Sequence, residues 1–221
     1  MTVHLADYFP FWSELTPAQQ SRLQGSLMPH RVEKDTLIHN GSADCVGLLL
    51  VVSGRLRVFI LSEEGKEITL YRLLEQDICL FSASCIFRSI QFDVMVEAET
   101  PTEFLQIPNA LYEELMRESA PVANYTNELM AARFSDVMWL LNQILYKKLD
   151  SRLAAFLLEE SLLAGSETLH LTHEEIANHL GSAREVVTRM LKYFSNEGLV
   201  ALSRGVINIS DAGRLRALAE E

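Results

Sequence analysis

Histidine, cysteine and catalytic glycine motifs are scarce in this chain, and each shortage removes a class of function. None of the six histidines falls between Asn40 and Leu169, and no His-x-His occurs. The ligand set of a cupin-type metalloenzyme is therefore missing. Three cysteines, Cys45, Cys79 and Cys85, are too few for a four-cysteine iron–sulfur cluster within one chain. Their odd number makes no disulfide framework, and a reducing, cytoplasmic setting is expected. The ten glycines form no Gly-x-Ser-x-Gly, no phosphate-binding loop and no paired-glycine nucleotide fingerprint, so no enzyme is expected. No apolar run approaches the ~20 residues of a membrane helix, and no membrane partner is expected. The segment Met1–Asp7 has neither a basic n-region nor an apolar h-region, so no secretion signal is read there. Basic charge is also short. Lys and Arg number 19 against 30 Asp and Glu in 221 residues, a net −11, which disfavours a non-specific coat for nucleic acid.

The charge is uneven. Residues 1–165 hold 13 basic and 22 acidic groups (net −9), and residues 166–221 hold 6 and 8 (net −2). The C-terminal third is the least acidic part, and its arginines cluster.

Thr16-Pro17-Ala18-Gln19 predicts a helix start, with Thr16 and Gln19 as a capping box and Pro17 at the first helical position. From about Val32, short apolar segments alternate with turn residues. Strands are expected at Thr36–His39, Gly47–Ser53, Arg55–Leu61 and Glu67–Leu74, with Ser62–Lys66 as a hairpin loop. Strands at this spacing indicate an antiparallel barrel or roll. Between Asn109 and Lys148 there is no glycine, and Pro121 is the only proline. From Val122 the apolar residues Tyr125, Leu129, Ala132, Val137, Leu140, Leu141, Ile144 and Leu145 follow helical spacing. Such a helix either pairs with a copy of itself or packs as a core helix on the roll. Leu149-Asp150-Ser151-Arg152 interrupts the pattern, and Ser151 is expected to cap the next helix, Arg152–Leu163. The expected division is 1–121 for a roll with its N-terminal helix, 122–148 for the long helix, and 149–221 for a C-terminal domain.

That last domain is the most informative. Thr172 with Glu175, and Ser182 with Glu185, are two expected capping boxes on either side of Gly181. Two short capped helices around a glycine turn make a helix-turn-helix. Ile176, Ala177, Leu180, Val186, Val187, Met190 and Leu191 would face inward. Arg184, Glu185, Thr188 and Arg189 would face outward at the N-terminal end of the second helix. Arginine pairs with guanine N7 and O6, and glutamate accepts from cytosine N4. Leu199–Leu202 and Val206–Ile209 flank Ser203-Arg204-Gly205, a hairpin wing with Arg204 at its tip. The candidate DNA-contacting residues are thus Thr172, Ser182, Arg184, Glu185, Thr188, Arg189 and Arg204. The competing explanation is a solvated surface.

The runs Thr172-His173-Glu174-Glu175-Ile176-Ala177 and Gly181-Ser182-Ala183-Arg184-Glu185-Val186-Val187-Thr188-Arg189 resemble the Crp/Fnr family of bacterial transcription regulators. The order of roll, long helix and winged domain matches as well, so the resemblance covers nearly the whole chain. It implies an α+β fold: an N-terminal antiparallel, jelly-roll-like β-roll of the cyclic-nucleotide-binding type, a dimerisation helix and a winged helix-turn-helix. It also implies a homodimer on double-stranded DNA, RNA polymerase as a partner, Thr172 as a phosphate contact, and Arg184, Glu185 and Arg189 as base readers. Asp150 would stand at the hinge between dimer helix and DNA domain. The Arg-Glu…Arg pattern resembles that of the family's cyclic-AMP-responsive members, which implies a TGTGA-like half-site in an inverted repeat. Ala183 departs from the family's serine before the Arg-Glu pair, which removes one phosphate hydrogen bond.

The sensor half departs further. Family members that bind cyclic nucleotides hold the phosphate with a Gly-Glu pair followed by Arg-Ser or Arg-Thr. No Gly-Glu occurs in Asp77–Val94. Counting back from Val96-Glu97-Ala98 puts Phe92-Asp93 at the second pair, while Arg88-Ser89 lies four residues earlier. A carboxylate in a phosphate cradle repels the ligand, so cyclic-nucleotide binding in the usual mode is not expected, with Arg88 as the exception to test. The effector is unknown. Cys79 and Cys85 are a possible redox pair, against the plainer role of buried small hydrophobes. The isolated His4, His30 and His39 lack ligand spacing, and no metal is expected. An interaction protein that senses a small molecule or redox change but no longer binds DNA specifically is the alternative function.

Overall fold

The computed structural model describes residues 4–41, 46–86 and 93–220, without the side chains of 84–86. The chain divides into two units, Met1–Leu61 with Leu70–Val137, and Ser62–Thr69 with Met138–Glu221.

In the first unit, α1 (Pro17–Gly25) starts at the expected capping box. The Thr16 side chain accepts from Gln19 N–H, and the Gln19 side chain accepts from Thr16 N–H at 2.9 Å. Eight strands follow: β1 (Met28–Val32), β2 (Leu37–Asn40), β3 (Leu48–Ser53), β4 (Leu56–Leu61), β5 (Glu67–Leu73), β6 (Ile78–Cys79), β7 (Met95–Ala98) and β8 (Thr102–Ile107). They form two four-stranded sheets, ordered β1-β8-β3-β6 and β2-β7-β4-β5. The β1–β8, β8–β3, β3–β6, β2–β7 and β7–β4 pairs are all antiparallel. The four expected strands are present as β2 to β5, and β1, β6, β7 and β8 are additions, of which β1 is the least legible. Its Pro29 and Arg31 spoil any alternation, and pairing with β8, Pro29 opposite Leu105, is what makes it a strand.

Leu49, Val51, Val58, Leu73, Val96 and Phe104 pack inside the roll. The other side of β3, with Leu48 and Leu50, joins Phe9, Phe11, Tyr112 and Val122 in a second core. Tyr112 belongs to α2 (Asn109–Glu118). Its hydroxyl shares a 2.8 Å hydrogen bond with Thr126, and burial pushes its pKa up to about 12.

The long helix α3 spans Ala120–Tyr146, 27 residues, shifted two positions N-terminal of the expected 122–148. At 1.5 Å per residue it is about 40 Å long. Pro121 sits in its first turn, where the missing N–H has no intrahelical partner to lose.

In the second unit, α4 runs Leu149–Ala164, and its N-cap is Lys148 with no side-chain bond. The expected cap, Ser151, is instead inside the helix and buried at 3% exposure. The helix starts earlier because Leu153, Phe156 and Leu157 are buried in the core of this unit and Leu149 packs against it, which extends the helix to Leu149. The wing strands are β10 (Val200–Ser203) and β11 (Val206–Ile209), and the two-residue β9 (Thr168–Leu169) adds to β11. Helix α7 (Ala212–Glu220) closes the chain. Lys147 Nζ donates to its Glu220 carbonyl at 2.9 Å, which suits a cation at a helix C-terminus.

Among the described residues no helix is long and apolar enough to cross a membrane.

Candidate nucleic-acid interface

Helix α5 (His173–Leu180) begins at the expected capping box. Glu175 N–H donates to Thr172 Oγ1 at 3.1 Å, and Thr172 N–H donates to Glu175 Oε2 at 2.7 Å. It ends at Gly181, whose φ of +63° is left-handed, with the Ser182 N–H returned to Ala177 O at 3.0 Å. Only a residue without Cβ takes this turn cheaply. Gly181→Ala is expected to cost about 1–2 kcal/mol of stability, read by urea denaturation.

The second expected capping box does not form. Helix α6 spans Arg184–Asn196, its N-cap is Ala183, and no side chain caps it. The Ser182 N–H is held by the turn after α5, so the chain enters α6 one residue later. Glu185 then occupies the second helical position and cannot reach back as a capping-box partner. Ile176, Ala177 and Leu180 of α5 pack on Val187, Leu191 and Phe194 of α6, while Val186 and Met190 are only half-buried. Arg152 of α4 donates to Leu180 O at 2.6 Å, holding the last turn of α5. Burial lowers the Arg152 pKa.

This packing fixes which side of α6 faces water. Arg184, Glu185, Arg189, Lys192 and Tyr193 are exposed, and Arg204 is exposed at the wing turn. Arg184 lies 3.9 Å from Glu174, with both side chains over 60% exposed, a pair loose enough to yield to a stronger acceptor. Thr172 is exposed at the start of α5, and Ser182 is half-buried in the turn. Thr188 is half-buried. Its hydroxyl donates to Arg184 O at 2.9 Å and lies 2.8 Å from His173 Nδ1. His173 is thus a side chain that couples the two helices, a role no local pattern of the sequence signalled.

Burial, then the nearby Arg184 and Lys192 charges, lower the His173 pKa below its usual 6.5. The unfolded chain therefore takes up this proton first as pH falls. The neutral form's contribution is complete above pH 6.5 and is lost progressively below it. Stability should drop more steeply as pH falls below 6.5 in the parent than in His173→Gln, as denaturant titrations at several pH values would show.

Residues 151–218 match the Crp-like helix-turn-helix domain, and residues 30–119 match the cyclic nucleotide-binding domain. The solved structure of a Crp/Fnr-family protein from Eubacterium rectale is 60% identical and superposes with a TM-score of 0.96, covering 97% of this chain and all of that one. The chain belongs to the Crp/Fnr family. The transcriptional regulator SdrP of Thermus thermophilus is 30% identical over 77% of this chain and 82% of its own length. The cyclic AMP receptor protein of the same organism is 28% identical over 78% and 79%. As a Crp/Fnr member this is a transcription regulator with a DNA-binding helix-turn-helix domain, and the relatives it matches are regulators rather than enzymes.

The roll is the part that matches the cyclic nucleotide-binding domain. Here Arg88, Ser89 and Phe92 lie outside the described residues, as do Cys45 and the side chain of Cys85. Asp93 is exposed and lies beside Gly41, where a Cβ would stand 3.1 Å from the Asp93 side chain. Cys79 is fully buried, and burial raises its thiol pKa. A buried protonated thiol is a poor nucleophile. Alkylation of the native protein followed by peptide mapping should leave Cys79 unmodified until the protein is unfolded. The Arg133 guanidinium of α3 stacks 4.7 Å over the Tyr71 ring and donates to Asp136 at 2.9 Å. His30 stacks on Phe104, and His39 is buried in β2. Asp150 accepts from Ser151 N–H at 2.8 Å and sits in the first turn of α4, while the break between α3 and α4 falls at Lys147–Lys148.

Proposed function

We propose that this Crp/Fnr regulator binds a specific inverted repeat as a homodimer and that its roll answers a signal other than cyclic AMP. The observation that carries the reading is the exposed set Arg184, Glu185 and Arg189 on the first turns of α6, backed by a fully buried opposite face. The N-terminal end of a recognition helix is where side chains reach base edges. Thr172, Ser182 and Arg204 flank it as phosphate contacts. Paired along α3, two copies would set their recognition helices in successive major grooves, about 34 Å apart. The Asp150 region between α3 and α4 would carry a change in the roll to that spacing, and RNA polymerase would be the downstream partner.

Absence of a Gly-Glu pair, and Asp93 in place of a phosphate-binding cation, favour an effector without a phosphate. The test is selection of bound sites from random DNA by the purified, reduced protein without added ligand. An enriched inverted repeat with paired G·C positions supports the reading. Enrichment of sites lacking them overturns the base assignment. Where nothing is enriched, a shallow salt dependence of the residual binding overturns DNA recognition itself, because several phosphate contacts impose a steep one. Tight cyclic AMP binding lost in Arg88→Ala would overturn the choice of signal.

A further inference from the structure

We infer that Thr188 reads the methyl group of a thymine in each half-site, and that His173 is the positioning residue that commits it to that contact. The inference rests on α6 being the recognition helix. Thr188 lies one turn beyond Arg184 and next to Arg189, so it shares the candidate base-reading face. Its hydroxyl is already engaged within the protein. A threonine hydroxyl has one proton and two lone pairs. In the structure Oγ1 lies 2.9 Å from Arg184 O and 2.8 Å from His173 Nδ1. If His173 carries its proton on Nδ1, the hydroxyl proton goes to Arg184 O. If it does not, the proton goes to Arg184 O or to Nδ1. In every case the proton stays inside the protein, so Thr188 cannot donate to guanine N7 or O6, adenine N7 or thymine O4. The two bonds also hold χ1, which gives the γ-methyl one orientation. The one apolar group on the floor of the major groove is the C5-methyl of thymine, the complement of such a methyl.

His173 is held from both sides. It is the first residue of α5, behind the Thr172 cap, and its ring reaches α6 one turn from the N-terminus. The groups facing it are Arg184 and Lys192 of α6, with Glu174 beside it on α5 against Arg184. Both cations oppose its protonation, which keeps the ring from competing with them for phosphate.

The experiment uses the full-length protein and its selected operator, with each thymine of the half-site replaced in turn by uracil, which differs only by that methyl. One position per half-site should weaken binding about fourfold, the factor for ~0.8 kcal/mol of one buried methyl, and about 16-fold when both half-sites are changed. Thr188→Val keeps the methyl and should retain the thymine-over-uracil ratio. Thr188→Ser keeps the hydroxyl and should bind thymine and uracil operators equally. His173→Ala should reduce the ratio, and adding Thr188→Val should restore it, which a merely structural loss would not do. Loss of specific binding by a folded Thr188→Val, or a half-site in which no thymine is sensitive to its methyl, would overturn the inference while leaving the recognition helix assigned. Absence of any selected operator would instead overturn the reading on which it rests.

Discussion

Arg184→Ala should abolish sequence-specific binding and leave the fold intact. A bidentate arginine–guanine pair is worth about 1–3 kcal/mol of discrimination, so two half-sites lose about 2–6 kcal/mol, roughly 30-fold to 10⁴-fold. Little opposes this on the stability side. Arg184 is 66% exposed, and its 3.9 Å approach to Glu174 is a surface pair worth little. It occupies the first position of α6, where a cation meets the positive end of the helix dipole and alanine is the better helix former. Anisotropy titrations on specific and scrambled duplexes, beside a thermal melt, separate the two effects. A variant that unfolds, or one that keeps its specificity, would mean that the faces of α6 are assigned wrongly.

Leu141→Glu should disrupt the proposed pairing along α3, leave the protein monomeric and cut operator affinity by about 10²–10⁴, the usual loss when a second half-site is no longer tethered. The basis is a stripe on the distal half of α3. Phe134, Met138, Leu141 and Leu145 recur at intervals of four, three and four residues, exposed at 67%, 45%, 43% and 63%. Ala131, also exposed, extends the stripe by one step. That spacing is the seam of a two-stranded coiled coil, and so much apolar area on one helix face calls for a partner. Trp139, Ile144 and Tyr146 broaden it. A carboxylate at the centre of the seam would face its own copy. Light scattering reads the mass directly, and a variant that remains dimeric would place the interface elsewhere.

Several sequence expectations survive here, and the ones that failed share a cause. The Thr16 and Thr172 capping boxes were legible because each needs only residues three apart. The Ser182 box looks identical on paper but fails, because the left-handed turn at Gly181 takes up the Ser182 N–H before α6 begins. Ser151 fails as a cap because the core of its unit draws the helix back to Leu149. Strand β1 could not be read, since its pattern lacks alternation and its identity comes from β8 across 70 or more residues of chain.

The candidate site divides along the same line. Arg184, Glu185 and Arg189 were visible because helical periodicity sorts them from Val187 and Leu191, and periodicity is a local property. The helix α3 was also visible, but its seam was not. Tyr125 and Leu129 look as available for self-pairing as Leu141, and only their packing against the roll core removes them. The same holds for His173 and Thr188, which lie 15 residues apart and meet because α5 and α6 cross. Patterns within a turn or two of chain set the order of elements, the family and the outward face of the recognition helix. Which apolar face stays uncovered, and which hydroxyl is already bonded, were decided by contacts between distant segments, because burial and hydrogen-bond satisfaction are properties of neighbours in space.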